Sequence, residues 1–166
     1  MMRDLPKATL WSLLAALVSA AMLATAHGFE TFGGYAPCLL CLRQREVYWV
    51  AMTIGLLGFL AAMVRPTFGR VACVLLLALF GTGTFVAGFH AGVEWKWWPG
   101  PTTCTGATGA IAADALADLL SGAKMRPPSC DVAAWRMFGL SMAGYNALAS
   151  AVLTVASAFA AYGSRK

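Results

Sequence analysis

Charge is what these 166 residues have least of: Asp, Glu, Lys and Arg together make up 11%. A soluble domain averages roughly 25% charged residues, so the deficit excludes an ordinary soluble fold. A hydrophobic share of 60% and a mean hydropathy of +0.70 point instead to an integral membrane protein. Histidine is scarcer still, with only His27 and His90. The sequence also lacks a basic stripe or any nucleic-acid-binding motif, so its net charge of +5 does not imply a nucleic-acid partner.

What is present is a set of long apolar runs, each long enough to cross a bilayer. They fall at about 8–26, 47–64, 71–89 and 138–162. The first run ends in Ala24-Thr25-Ala26, which resembles a signal-peptidase site, but its span-like length favours an uncleaved first helix. Loops are expected at about 28–45 and 90–136, with a tight basic turn at Arg65, Pro66 and Arg70. Small residues recur within the runs, such as Gly81, Gly83 and Gly88, and Ala143, Ala147 and Ala151. Such residues let helices approach closely in lipid. The expected fold is therefore all-α, a single four-helix transmembrane bundle. Asn146, a strongly polar side chain within a span, reads as an interhelical hydrogen bond. In the long loop, Ile111 to Leu120 reads as a short amphipathic helix, with Ile111, Ala115 and Leu119 on one face.

The few charges are unevenly placed. Arg3, Asp4, Lys7, Arg65, Arg70, Arg165 and Lys166 carry the whole net +5, and the remaining flanks and loops balance to zero. By the positive-inside rule, both termini are cytoplasmic and the two loops face outward. Trp49, Trp95, Trp97, Trp98 and Trp135 fall at the outer ends of the spans, as an interfacial belt would.

Five cysteines remain to be explained. Cys73 lies alone within a span and reads as packing. Cys38 and Cys41 form a Cys-x-x-Cys pair. Haem attachment needs a histidine directly after the second cysteine, and Leu42 stands there. Structural zinc needs four ligands, and Cys104 and Cys130 lack close ligating neighbours, so no metal is assigned. Redox use remains. If the second helix begins near Cys41, that sulfur meets the positive end of the helix dipole, which stabilises a thiolate. Arg45 follows four residues later on the same face, where it suits a thiolate or the carbonyl oxygen of an electron acceptor. Arg43 is offset around the helix. Cys104 and Cys130 sit in the outer loop, either as a static staple or as an exposed exchanging pair.

Four spans, an outer Cys-x-x-Cys with an arginine four residues on, and a second cysteine pair in the long outer loop resemble the disulfide bond formation protein B (DsbB) family. The resemblance covers nearly the whole chain. It implies a bacterial inner-membrane oxidoreductase that reoxidises a periplasmic thioredoxin-like dithiol oxidase (DsbA-like) and passes the electrons to membrane quinone, ubiquinone or menaquinone. It further implies that Cys104 forms the mixed disulfide with the partner and that Cys130 is its pair. Cys38 would be the relay cysteine, and Cys41 the thiolate in charge-transfer contact with the quinone. Arg45 would bind the quinone carbonyl, and His90 would neighbour the ring. The segment over 111–120 occupies the place of the family's horizontal helix. Two other readings are a vitamin K epoxide reductase-like quinone reductase, which would carry its Cys-x-x-Cys late in the chain, and a disulfide-stapled scaffold without activity.

The orientation has a direct check. In intact cells treated with a mild reductant, a membrane-impermeant thiol reagent should label Cys104. If Cys104 becomes reactive only after lysis, the charge-based orientation is wrong.

Overall fold

The computed structural model describes residues 6–101 and 129–163. The expected helix over Ile111–Leu120 and Cys104 lie outside the described residues. Within them the chain forms α1 (Lys7–Thr31), α2 (Leu39–Val64), α3 (Pro66–Glu94), a hairpin of β1 (Arg136–Met137) and β2 (Leu140–Ser141), and α4 (Met142–Gly163). All four helices are long and apolar enough to cross a membrane. They form a bundle in which α3 packs most heavily on α4, and α1 and α3 both pack on α2.

Chain reversals follow from local chemistry. Pro66 forces the preceding residue out of helical geometry, and Arg65 sits at φ −140°, ψ 116°. Proline is itself suited to the first helical position, so α2 ends and α3 begins around a single residue. The hairpin before α4 turns on Phe138 (φ 50°) and Gly139 (φ 82°), with Arg136 opposite Ser141 and Met137 opposite Leu140. Two successive positive φ values mark a type I′ turn. The last helix therefore begins at Met142, four residues after the apolar run does. At their outer ends α2 and α3 instead outrun their apolar cores, taking in Leu39–Glu46 and His90–Glu94.

The interior is built from small side chains. Ala15, Ala51, Ala87, Ser12, Ser19, Ser150 and Ser157 are buried, whereas Leu57, Val64, Phe85 and Phe159 face outward. Lipid is as apolar as leucine, so burying leucine between helices gains little, and close backbone approach gives the packing instead. Larger groups fill only the centre, where Tyr48, Leu76, Phe80, Leu153 and Leu23 cluster. Some buried hydroxyls bond within their own helices, as in Ser12 to the Ala8 carbonyl at 2.9 Å and Ser157 to that of Leu153 at 2.7 Å, whereas those of Thr9 and Ser19 have no partner among the described residues. Trp11 Nε1 ties α1 to α4 by donating to Ser157 Oγ at 3.0 Å. Cys73 is buried against Ala8, Ala160 and Ala161, with its thiol 3.5 Å from the Ala8 carbonyl.

The α1–α2 contact is close enough to be tested by one methyl group. A Cβ placed on Gly55 would lie 2.6 Å from the Ser12 carbonyl oxygen, a backbone atom that cannot rotate away. Gly55→Ala should destabilise the bundle by about 1–3 kcal/mol, typical of overpacking, and lower the thermal midpoint in detergent. An unchanged midpoint would contradict this helix contact.

Candidate active site

Pro37 ends the α1–α2 connection, and Cys38 caps α2 with its backbone extended at φ −76°, ψ 172°. Its sulfur accepts the Cys41 backbone N–H at 3.3 Å, doing what a serine or aspartate oxygen does at other N-caps. The helix expected to begin near Cys41 begins two residues earlier, which opens the cap position just ahead of it to another residue. Cys38 holds that position, because the helix begins at Leu39, and Cys41 lies in its first turn. The two sulfurs are 2.7 Å apart. A tetrahedral zinc ion with bonds of about 2.3 Å holds two thiolates roughly 3.7 Å apart. Cys38, Cys41 and His90 converge within 4.8 Å, but the two sulfurs lie closer together than a shared ion would hold them.

The surroundings of Cys38 favour its thiolate. Hydrogen bonding from the Cys41 side chain draws its pKa below the usual thiol range, against the opposing effect of burial, and His90 adds to the lowering. The His90 Nε2 atom lies 3.6 Å from the Cys38 sulfur. His90 comes from the last turns of α3 and is buried. One turn further, Glu94 places Oε1 3.8 Å from the same Nε2 and accepts a hydrogen bond from the Ser141 hydroxyl.

Arg45 lies on the same helix and is ion-paired, with Nη1 2.5 Å from Glu30 Oε2 and Nη2 donating to the Ala26 carbonyl at 3.1 Å. Both partners belong to α1. An arginine at a span end is costly without such partners. Arg43 points outward to an exposed pair with Glu46 at 3.0 Å and takes no part in the site.

Cys130 is disulfide-bonded, whereas Cys38, Cys41 and Cys73 are free thiols, so its bond is with none of them. It is buried in one cluster with Cys38 and Leu40, against Cys41 and Phe89. Its segment is tied to the end of α3 by Lys96 Nζ, 2.7 Å from both the Asp131 carboxylate and its carbonyl oxygen. That contact holds the Asp131 carboxyl below the usual carboxylate range. Trp95, Trp97 and Trp98 pack against one another at the same end, tilted and edge-on, and Trp135 packs on Phe29 with ring centroids 5.4 Å apart.

A cavity of about 450 Å³ opens beside the two sulfurs. Cys38, Cys41, Arg45 and His90 line its polar end, and side chains such as Met22, Leu23, Phe29 and Trp135 form apolar walls. Of the residues singled out from sequence, the structure brings together Cys38, Cys41, Cys130, Arg45 and His90. Cys104 lies outside the described residues.

Sequence reasoning missed Glu30, Gln44 and Glu94. All three lie at helix ends that the apolar runs left in loops. A polar side chain at membrane depth is costly and marks function, but that signal is visible only once the helix is known to continue through it.

The chain matches the family model "Disulfide bond formation protein DsbB" over residues 8–160. It is 31% identical over 148 residues to Disulfide bond formation protein B of Marinobacter nauticus (strain ATCC 700491 / DSM 11845 / VT8), covering 86% of this chain and 85% of that one. Identity to the protein of the same name from Dechloromonas aromatica (strain RCB) is 29% over 134 residues, 76% of each chain. No solved structure matches. The paired sulfurs at a helix start, the buried Cys130 beside them and the match from α1 to α4 lead to one conclusion: this multi-pass membrane protein belongs to the DsbB family of disulfide bond formation proteins.

Proposed function

We propose that the chain reoxidises a periplasmic thioredoxin-like dithiol oxidase of the DsbA type and passes the electrons to membrane quinone. The observation that carries this reading is the single buried cluster of Cys130, Cys38 and Cys41 beside a cavity lined by Arg45 and His90. Cys104 meets the partner and Cys130 is its pair. The resulting loop dithiol reduces the inner disulfide, so one S–S bond forms as another breaks. The quinone, when bound, accepts two electrons and two protons.

The residues present fit such an acceptor. Apolar walls suit its ring and tail, and the polar end of the cavity offers donors for its oxygens. Arg45 presents five N–H groups in a rigid fork, and Glu30 with the Ala26 carbonyl fixes that fork at the cavity wall. Cys41 faces the same space and is the electron donor. Cys38 relays electrons to it from the loop pair. In this reading the protein lies in the bacterial inner membrane, and the net +5 carried by the terminal flanks and the Arg65–Arg70 turn supports cytoplasmic termini.

Cys41→Ser should abolish reduction of a soluble quinone by the reduced partner; undiminished reduction would exclude Cys41 as the donor. In Cys130→Ser a mixed disulfide with the reduced partner should accumulate at Cys104, and its absence would favour a static staple. Removing the guanidinium in Arg45→Leu deletes a charged hydrogen bond. By the usual strength of such bonds, KM for quinone should rise about 10- to 100-fold, with exchange to the partner preserved. An unchanged KM would remove Arg45 from the acceptor site.

A further inference from the structure

A continuous hydrogen-bonded chain joins the redox end to the centre of the bundle, and the roles given above make no use of it. Tyr48 Oη donates to Asn146 Oδ1 at 2.5 Å, with Ser150 Oγ 3.0 Å on its other side. Asn146 Nδ2 donates to Gln44 Oε1 at 2.5 Å. The Gln44 amide nitrogen faces His90 Nδ1 at 2.8 Å. A carboxamide has one end that donates and one that accepts, so the direction of this chain and the tautomer of the imidazole are tied together, and Asn146 Nδ2 donating to Gln44 Oε1 leaves the Gln44 N–H to meet the ring. Nδ1 is then the ring's acceptor, and the neutral ring carries its proton on Nε2. The other side of the ring independently asks for the same arrangement. Nε2 faces a sulfur at 3.6 Å and a carboxylate oxygen at 3.8 Å, both acceptors when ionised.

We propose that Asn146 and Gln44 are positioning residues that fix the tautomer of His90. They hold its Nε2–H as a donor to the Cys38 sulfur, and Glu94 is the alternative acceptor of that same hydrogen. The place of this device in turnover rests on the quinone-linked reading; its geometry does not. When the inner dithiol closes, two thiols become one S–S bond, and two electrons and two protons pass to the quinone. Cys38 must lose its proton before its sulfur can bond to that of Cys41. The His90 Nε2–H supplies a hydrogen bond to the thiolate that forms. When Cys38 is oxidised, the N–H turns to Glu94, so the ring keeps a partner in both states.

Among the described residues, the other charged and titratable groups near this pair include Cys130, packed in one cluster with Cys38, and Tyr35 on the cavity wall. From α1 comes Glu30, which is held by Arg45. The second helix adds Cys41, Arg45 and Tyr48, α3 adds Glu94, and Arg136 acts on Glu94 from the hairpin. On α4, Tyr145 is the titratable group lining the cavity.

The test uses full-length Cys41→Ser protein, reduced, in detergent micelles. Imidazole ¹⁵N shifts read the His90 tautomer, and mass spectrometry of alkylated Cys38 against pH reads its thiolate. The parent should show His90 protonated on Nε2. Asn146→Leu and Gln44→Leu should mix the tautomers and raise the alkylation midpoint by about one pH unit, the size of one charge-assisted hydrogen bond. In a His90→Phe background Asn146→Leu should shift the midpoint no further. An Nδ1–H ring in the parent would overturn the proposal without any variant having to fold. So would an Asn146→Leu shift that is equally large without His90. If the tautomer and the midpoints behave as expected but wild-type protein reduces no quinone, the positioning role stands and the quinone-linked reading falls.

Discussion

Everything at the redox end depends on the register between α2 and α3, and one proline-led residue sets it. Cys38 lies 27 residues before Arg65, and His90 lies 25 residues after it. At a rise of 1.5 Å per residue, the two arms reach about 40 and 37 Å from the turn. A sulfur and an imidazole far apart in sequence therefore arrive at the same depth. Any insertion near Arg65 would slide the two arms against each other and rotate their faces by about 100° per residue. The tight turn is thus a constraint on chemistry at the opposite side of the membrane.

Close packing turns that register into a site. With alanine, serine and glycine at the helix contacts, the backbones lie near enough for short polar side chains to bridge them. Asn146 on α4 reaches Gln44 on α2, which reaches His90 on α3. Leucines at the same contacts would hold the helices farther apart and break that chain. In lipid each of these polar groups needs a protein partner, so the small-residue interior and the polar network require each other.

Much of this was legible in the sequence. The charge deficit gave the membrane, the apolar runs gave the number of helices, and Cys-x-x-Cys with Arg45 named residues that line one cavity. The helix ends were hidden, for a physical reason. Hydropathy marks where a helix is in contact with lipid, and α2 and α3 continue beyond that zone. The apolar run placed the second span only from about residue 47, and with the residues before it went the capping role of Cys38 and the inward face of Gln44. Glu94 was hidden in the same way at the end of α3. The hairpin before α4 was missed because Phe138-Gly139 is an unusual pair for a type I′ turn, in which asparagine or aspartate more often precedes the glycine. Phenylalanine kept the hydropathy high through a segment that is not helical.

The placement of charge suggests why the inner pair relies on dipoles. Two cations at this end are already engaged, Arg45 by Glu30 and Lys96 by Asp131, and Arg136 acts on Glu94. A thiolate formed at Cys38 is met instead by the Cys41 backbone N–H and by the His90 ring. Fixed dipoles of this kind need no counterion and little reorganisation when charge develops. They are also screened less by salt than an exposed ion pair would be, because the sulfur is buried. A cation bound permanently to Cys38 would hold the thiolate in place and slow its return to the disulfide. Dipoles stabilise it without supplying a charge that must then be compensated in the oxidised state. Arg45, neutralised by Glu30 yet still lining the cavity, is left to act on whatever occupies that space.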